Sequence, residues 1–484
     1  MNIKRYVPEE LYNLLSGKQH FYIKDVFNLN GIELKVEGLY IVIDTIIRCS
    51  GQYDTSNDFI CISKDIFHNI LQNDYTMYID YLIQNNIIIC DNLYSKDARK
   101  AKGYKLNPNI LDPNTDLIGI EISDKLFAKR TEKAVKGSNK KMKVSKDFKA
   151  NFNNFELNYV EAHKKLIYDY NNAVPSAKGK ILNIHTLKAL QYKLKAIEDR
   201  QLSIYRNDTN GRITTNLTLL NSEYKQFLNN GFDHQIDLSA SQPTLVIVLL
   251  ELLNSFVVNS EDKQVNGIEL GIKQTANSKS INSNILSYVY KMTLKYLGKE
   301  EHTYFWSEIK KLKLPSKNEI KKYKNLCCNG NLYETLMFEY KIPKENRTKF
   351  KLDFLIGMYE SNSAFNKAKD IFVKEFPTIY TLLFQIKDIL NLKTNKKWGI
   401  LAIILQSLES YLFVELIIPK LEANKIPYQY IYDCIIVKKQ HLQKSYEIMY
   451  STITSYLNEL LGDNILKIEN LKTGTKIKIQ ELYV

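Results

Sequence analysis

The sequence predicts an α+β chain of several domains, and three observations point there. Apolar residues at helical spacing fill most of 151–425, and strand-like alternation is scarce in that region. Two later segments, YQYIYDCIIVKK (428–439) and ILKIENLKTGTKIKIQELYV (465–484), are β-rich and read as hairpins, the second with a Thr-Gly-Thr turn. Ahead of both, residues 1–127 run helix, helix, strand, basic loop, strand, which is the layout of a small mixed domain.

The elements follow in order. SKDIFHNILQN (63–73) opens on a Ser cap and reads as a helix, and YTMYIDYLIQNNI (75–87) as a second. IIICD (87–91) is β-branched and reads as a strand, with a return strand at 104–106. This order makes 1–127 winged-helix-like. The loop between the strands carries Lys96, Arg99, Lys100 and Lys102, which on a wing would reach phosphates; a merely solvated loop is the alternative. Residues 128–150 hold nine Lys or Arg against two acids, half of the chain's net charge of +14, and read as a basic linker or loosely helical arm. Residues 151–484 form the third region. They are mostly helical to 235, with the polar interruption RNDTNGRITTNLTLLN (206–221). A further helix starts at Pro343, and others fill 365–425.

Composition narrows the function. With 44% hydrophobic and 25% charged residues over 484 positions, there is ample core for two to four domains. The basic excess favours polyanionic partners, nucleic acid first, although a Lys- and Asn-rich composition accounts for part of it. None of the six cysteines forms a CxxC pair, which argues for reduced thiols in a cytoplasm and against a zinc site or disulfide framework. MNIKRYVPEE has no apolar stretch fit for a signal peptide, and the apolar run 244–258 is too short to span a bilayer. The expectation is a cytoplasmic protein with no membrane partner.

One stretch, HQIDLSASQPTLVIVLLELL (234–253), sets a charged group at the mouth of an apolar helix. Asp237 reads in two ways. It is a loop residue before a Ser-capped helix with Pro243 in its first turn, or it is a ligand, since an ionised carboxylate is costly to bury unless a cation meets it. A second lone aspartate, Asp433, falls between the two β-rich runs of YQYIYDCIIVKK, where a hairpin turn would sit. Between them in sequence, Arg347, Lys351, Leu355 and Tyr359 recur every four residues along one helix face. Two cations, an apolar residue and a phenol in that order suit a triphosphate at one end and a base and sugar at the other. Two aspartates brought together must share a cation or a proton; divalent metals between them would activate a 3′-hydroxyl and stabilise a pyrophosphate leaving group.

These residues resemble the family A polymerases, the group of bacterial DNA polymerase I and the single-subunit phage RNA polymerases. Asp237 in DLSASQP resembles motif A, the series Arg347, Lys351, Leu355, Tyr359 resembles motif B, and Asp433 in YDCIIV resembles motif C. DTNGRITTNLTLLN resembles the segment upstream of motif A, with Arg212 as its arginine, and Gln406 in ILQSLES resembles the glutamine on the helix preceding motif C. The resemblance covers 200–440. It implies a right-hand fold of palm, fingers and thumb. It also implies Asp237 and Asp433 as catalytic ligands of Mg2+ (or Mn2+), and Arg212 and Gln406 as contacts to a primer–template.

The departures carry information. Motif C reads Tyr432, Asp433, Cys434, so the second carboxylate of the DNA enzymes is missing, as in the single-subunit RNA polymerases. Glu360 stands where motif B has Gly, Leu355 replaces a base-stacking aromatic, and Gln242 occupies the place of the glutamate that packs on the incoming sugar. The stretch between motifs A and B is expanded, and no exonuclease domain fits in the remainder. The expected function is an exonuclease-free DNA polymerase of a phage or mobile element, acting on nucleic acid and nucleoside triphosphates. Two alternatives stand beside it: a single-subunit RNA polymerase or primase, and a non-catalytic winged-helix replication initiator.

Overall fold

The computed structural model describes residues 4–16, 20–23, 32–50, 59–94, 101–136, 143–175, 181–261, 281–359, 367–389, 399–457 and 465–482. Helices and antiparallel sheets are mixed, and the chain divides into two compact units. The first comprises Met1–Lys140, Glu156–Ser203 and Leu219–Asn229; the second comprises Lys141–Phe155, Ile204–Thr218 and Asn230–Val484.

In the first unit the helix Val36–Ser50 is buried along most of its length. Its apolar residues have few polar interruptions, as a helix surrounded by core must. One of them, Asp44, is fully buried and is met by Arg5 Nη1 at 2.7 Å and by the Tyr6 amide at 2.9 Å. Gly38 on this helix faces the Tyr78 ring so closely that a Cβ would come within 2.2 Å of it. The helices Lys64–Leu71 and Tyr75–Gln84 and the strands Ile88–Cys90 and Gly103–Leu106 take the order expected from sequence, with Ser63 capping the first helix. A third strand, Ile60–Cys61, completes a small sheet in which Gly103–Leu106 is central. The helices Tyr159–Asn171 and Ile184–Glu198 pack on one another, and the second also packs on Val36–Ser50. Within the basic stretch 128–150 the described residues are largely helical, in Lys125–Lys136 and Lys146–Asn153, and Thr131 is buried.

The second unit is built on a five-stranded antiparallel sheet. Its order is Tyr428–Ile431, Cys434–Lys438, Phe232–Leu238, Leu466–Asn470, Thr475–Ile477. The strand ending near Asp237 is therefore central, and both expected hairpins flank it. Phe232, His234, Ile236 and Leu238 are buried while Asp233, Gln235 and Asp237 are half-exposed, the period-two alternation of a sheet with one packed face. The chain then enters the helix Ser241–Glu261, which packs against the helices Lys317–Cys328 and Ile400–Ser410. Ile400–Ser410 continues through a π-helical turn, Tyr411–Ile417, into Ile418–Ala423. This 24-residue run is long and apolar enough by composition to cross a membrane, but 72% of its most apolar window is buried inside the fold. The helix expected from Pro343 begins at Arg347, after a 3-10 turn at Lys344–Asn346.

Candidate active site

The site begins with strand register. Asp237 pairs with Cys434 on one side and Lys467 on the other. The Leu238 amide donates to the Asp433 carbonyl at 3.1 Å, and the Ser239 amide to the Ile465 carbonyl at 2.7 Å, so the end of the central strand is stitched to both neighbours. Asp433 lies in a two-residue turn between Tyr428–Ile431 and Cys434–Lys438, where Tyr432 adopts a φ of 53°. A non-glycine residue at positive φ stores strain, and such strain is held in place only by well-packed surroundings. Adjacent strands lie about 5 Å apart, so the register brings the two aspartates, far apart in sequence, to one end of the sheet.

Their electrostatic surroundings differ. Burial pushes the Asp433 carboxyl up from its ordinary value, with Arg212, Lys351 and the Ser241 hydroxyl pulling the other way. Lys467 is pushed down by burial and by Arg347 and Lys351, while Glu334 and Asp237 favour its charged form. Asp237, Arg347, Lys351 and Lys467 line one pocket of about 830 Å³, together with Glu334 and the lysines of the C-terminal hairpin, Lys476 and Lys478. Arg347 pairs with Glu334 at 2.6 Å, and this pairing outweighs burial and holds the Glu334 carboxyl low.

Further along the same helix, Leu355 and Tyr359 are half-buried, and the Tyr359 hydroxyl donates to Gln242 Oε1. Gln242 Nε2 donates to Glu409 Oε2 at 2.8 Å, and Arg212 Nη2 reaches the same oxygen at 2.6 Å. The Arg212 guanidinium lies 4.9 Å from the centre of the Tyr432 ring. Gln406, one turn before Glu409, accepts from Asn210 Nδ2 at 2.8 Å. The interruption at 206–221 thus begins as a hairpin, Ile204–Arg206 with Ile213–Thr215, whose tip rests on the helix Ile400–Ser410, and goes on into the short helix Asn216–Leu219. Burial pushes the Glu409 carboxyl up to about 7 despite Arg212.

The residues named from sequence in this unit therefore fall into two linked groups: Asp237, Asp433, Arg347 and Lys351, and then Gln242, Tyr359, Arg212 and Gln406. Leu355 lies between them on the helix Arg347–Tyr359. Lys96, Arg99 and Lys100 lie outside the described residues; Lys102, in the first unit, is exposed. Sequence reasoning missed two residues. Lys467 sits on the polar phase of LKIEN, but its place opposite Asp237 is set by register alone. Glu409 follows Gln406 by one helical turn, and that spacing was a usable signal.

Among the described residues no group of three or more His, Cys, Asp or Glu side chains could hold a metal ion, so a divalent cation here would rest on Asp237 and Asp433. That pair fits one in part: both donors are oxygen, and the Asp433 carboxyl, half-buried and raised, is a group that a cation would stabilise. Lys467 beside Asp237 already supplies one positive charge. Every described cysteine is a free thiol.

No protein-family model matches the chain, and no curated protein matches it. Among solved structures, the polymerase domain of Pol1 from M. smegmatis, in complex with DNA primer-template and dNTP, aligns with a TM-score of 0.31 and 8% identity, covering 66% of this chain and 68% of that one.

Proposed function

We propose that the chain is a metal-dependent, template-directed nucleotidyltransferase of family A type, and that its product is DNA. One observation carries the reading. Asp237, near the end of the central strand, lines one pocket with Arg347 and Lys351, and Asp433 occupies the adjoining turn, where Lys351 favours its charged form. Two carboxylates opposite two cations suit a polyanionic substrate that arrives with a divalent ion.

In this reading Asp237 and Asp433 hold magnesium, with manganese as a substitute; the chemistry such an ion supplies is neutralisation of charge at the reacting phosphate. Lys351 and Arg347 bind the triphosphate, Arg347 by exchanging Glu334 for phosphate. Lys467 adds a third cation at the aspartate end. Leu355 packs on the base, and Gln242 and Tyr359 border the sugar. Arg212 and Gln406 lie along the primer–template, and the basic residues Lys96, Arg99, Lys100 and Lys102 add sequence-independent phosphate contacts. The palm, fingers and thumb division and the winged-helix-like N-terminal domain belong to the same proposal.

RNA synthesis is the second reading, favoured by Cys434 in place of a second carboxylate and by Ser239 and Ser241 after Asp237. Incorporation of labelled dNTPs and NTPs on a primer–template, with and without magnesium, separates the possibilities. Metal-dependent dNTP addition is the expected result. Preference for NTPs replaces the DNA reading by the RNA one. Binding without turnover in any metal leaves a non-catalytic initiator.

A further inference from the structure

The pocket beside Asp237 is lined from two sides. The first turns of the helix Arg347–Tyr359 bring Arg347 and Lys351. The C-terminal hairpin, Leu466–Asn470 with Thr475–Ile477, brings Lys467, Lys476 and Lys478. Register puts these three lysines on one face of the sheet. Lys467 stands opposite Asp237, and Ile468 opposite Ile477, so continuing that register sets Lys478 opposite Lys467. Lys476 lies two residues before Lys478 and shares its face one row along, opposite Glu469. Leu466 and Ile468, which alternate with Lys467, are buried.

Five cations thus line this pocket against two carboxylates, Asp237 and Glu334. Arg347 is already paired with Glu334 at 2.6 Å. On the sheet side, Lys467 and Lys478 share one row with Asp237, and Arg347 and Lys351 repel Lys467 from the helix. Like charges gathered in a cleft are unfavourable alone, and a polyanion offsets their repulsion. A nucleic-acid backbone spreads its charge along a track, one per phosphate. These cations instead converge on one pocket, which suits a compact anion carrying several charges. The three lysines fall outside 200–440, the segment that resembles the polymerases, so that resemblance gives them no role.

Resting on the nucleotidyltransferase reading above, we propose that the C-terminal hairpin is a pyrophosphate-binding wall. Lys467 and Lys478, with Lys476 beside them, hold the pyrophosphate group, on the incoming nucleotide or after its release. The helix and the hairpin then grip that group from two sides.

The test is calorimetry of the full chain with sodium pyrophosphate, with and without magnesium. Lys467→Gln should raise Kd at least about fivefold and Lys478→Gln at least about threefold, the exposed contact being the weaker. Lys476→Gln should act less than Lys478→Gln, because Glu469 stands opposite it. Lys472→Gln removes a charge from the hairpin turn outside the pocket and should leave Kd within about twofold. Melting curves establish that each variant folds; should Lys467→Gln not fold, Lys478→Gln carries the comparison. Titration of dATP into a dideoxy-terminated primer complex separates the two sources. An equal rise for dATP places the contact on nucleotide and product, a rise for pyrophosphate alone places it on the product, and both support the wall. A wild-type Kd for pyrophosphate in Lys467→Gln and Lys478→Gln overturns it; weaker primer–template binding in the same variants then assigns the lysines to nucleic acid. Wild type that incorporates nucleotides but does not bind pyrophosphate overturns the wall alone. Wild type that binds pyrophosphate through these lysines but incorporates no nucleotide supports the wall and overturns the nucleotidyltransferase reading.

Discussion

At the scale of single residues, Asp237 and Asp433 share an end of the sheet but differ in their neighbours. Asp237 faces a cation across the strands, and Asp433 is half-buried and its carboxyl raised. Asp237→Ala and Asp433→Ala are each expected to abolish nucleotide incorporation while leaving primer–template affinity within about threefold, since neither makes the phosphate contacts that dominate binding. Primer extension and fluorescence anisotropy check this; near-wild-type turnover in either variant removes the ligand assignment. Arg347→Ala and Lys351→Ala should each lower kcat/KM at least about tenfold, because a charge-assisted contact is worth roughly 1.5–3 kcal/mol. Arg347 must also release Glu334, so its loss should fall more on KM than that of Lys351. Steady-state kinetics separate the two, and unchanged constants in both would make the stripe a solvated face. These residues were legible because their spacing is local and regular. Lys467 was not: nothing in LKIEN marks it until antiparallel register sets it opposite Asp237.

At the scale of elements, the hairpins and the Ser-capped helix were legible from β-branching, turn residues and caps, which act over a few positions. The buried run Ile400–Ala423 was not read as the core of the second unit, because an apolar segment has no periodicity to show which face it buries. Its polar residues tell more. Gln406, Glu409 and Ser410 all face the 206–212 hairpin region or its partner Tyr288. Gly211 at that hairpin has a φ of 73°, and a Cβ there would come within 1.9 Å of the Tyr288 hydroxyl. That hydroxyl accepts from Arg206 at 2.9 Å, so relief of the clash would break the bond. Gly211→Ala should cost about 1–3 kcal/mol, read as a lower urea midpoint. An unchanged midpoint would mean that the hairpin relaxes freely. Glu409 adds a pH signature. Its carboxyl is raised from 4.5 to about 7 by burial, so the folded protein keeps a proton that the unfolded chain releases. Its contribution to stability therefore falls as pH rises through that window and is level on either side. The stability of wild type relative to Glu409→Gln should decline between those two values; a difference independent of pH would show that Glu409 stays ionised throughout.

At the scale of the whole molecule, the chain crosses between its two units several times, and no single cut separates them. A sequence read from left to right places a boundary where composition changes, at the basic stretch 128–150. Packing follows other rules. Lys188 is 1% exposed, and its ammonium donates to the carbonyls of Asp112 at 2.8 Å and Thr115 at 2.9 Å, with Glu10 at 3.5 Å. The Tyr159 hydroxyl donates to Asp116 at 2.5 Å, and Gln191 Nε2 donates to the Thr115 carbonyl at 3.0 Å. Each of these bonds joins the helices of 159–198 to the first 127 residues. Removing residues 1–150 would take all of these acceptors from Lys188 and uncover its ammonium. It would also expose the apolar faces of the helices Tyr159–Asn171 and Ile184–Glu198. The fragment 151–484 should therefore be less soluble than the full chain, and its melting transition should lie lower or broaden. In the full chain, Lys188→Met should cost about 1–3 kcal/mol, because it takes a donor away from buried carbonyls. Calorimetry of the fragment, the full-chain variant and the full chain checks both statements. A fragment that melts like the full chain would show that those helices are held from elsewhere. For the same reason, the contribution of the basic loop to nucleic-acid binding has to be measured in the intact chain, with Lys96, Arg99, Lys100 and Lys102 replaced by glutamine. For every phosphate that is no longer neutralised, the log–log salt slope should then fall by about 0.7–0.9. An unchanged slope would assign the loop to solvent and leave the nucleic-acid charge to other surfaces of the protein.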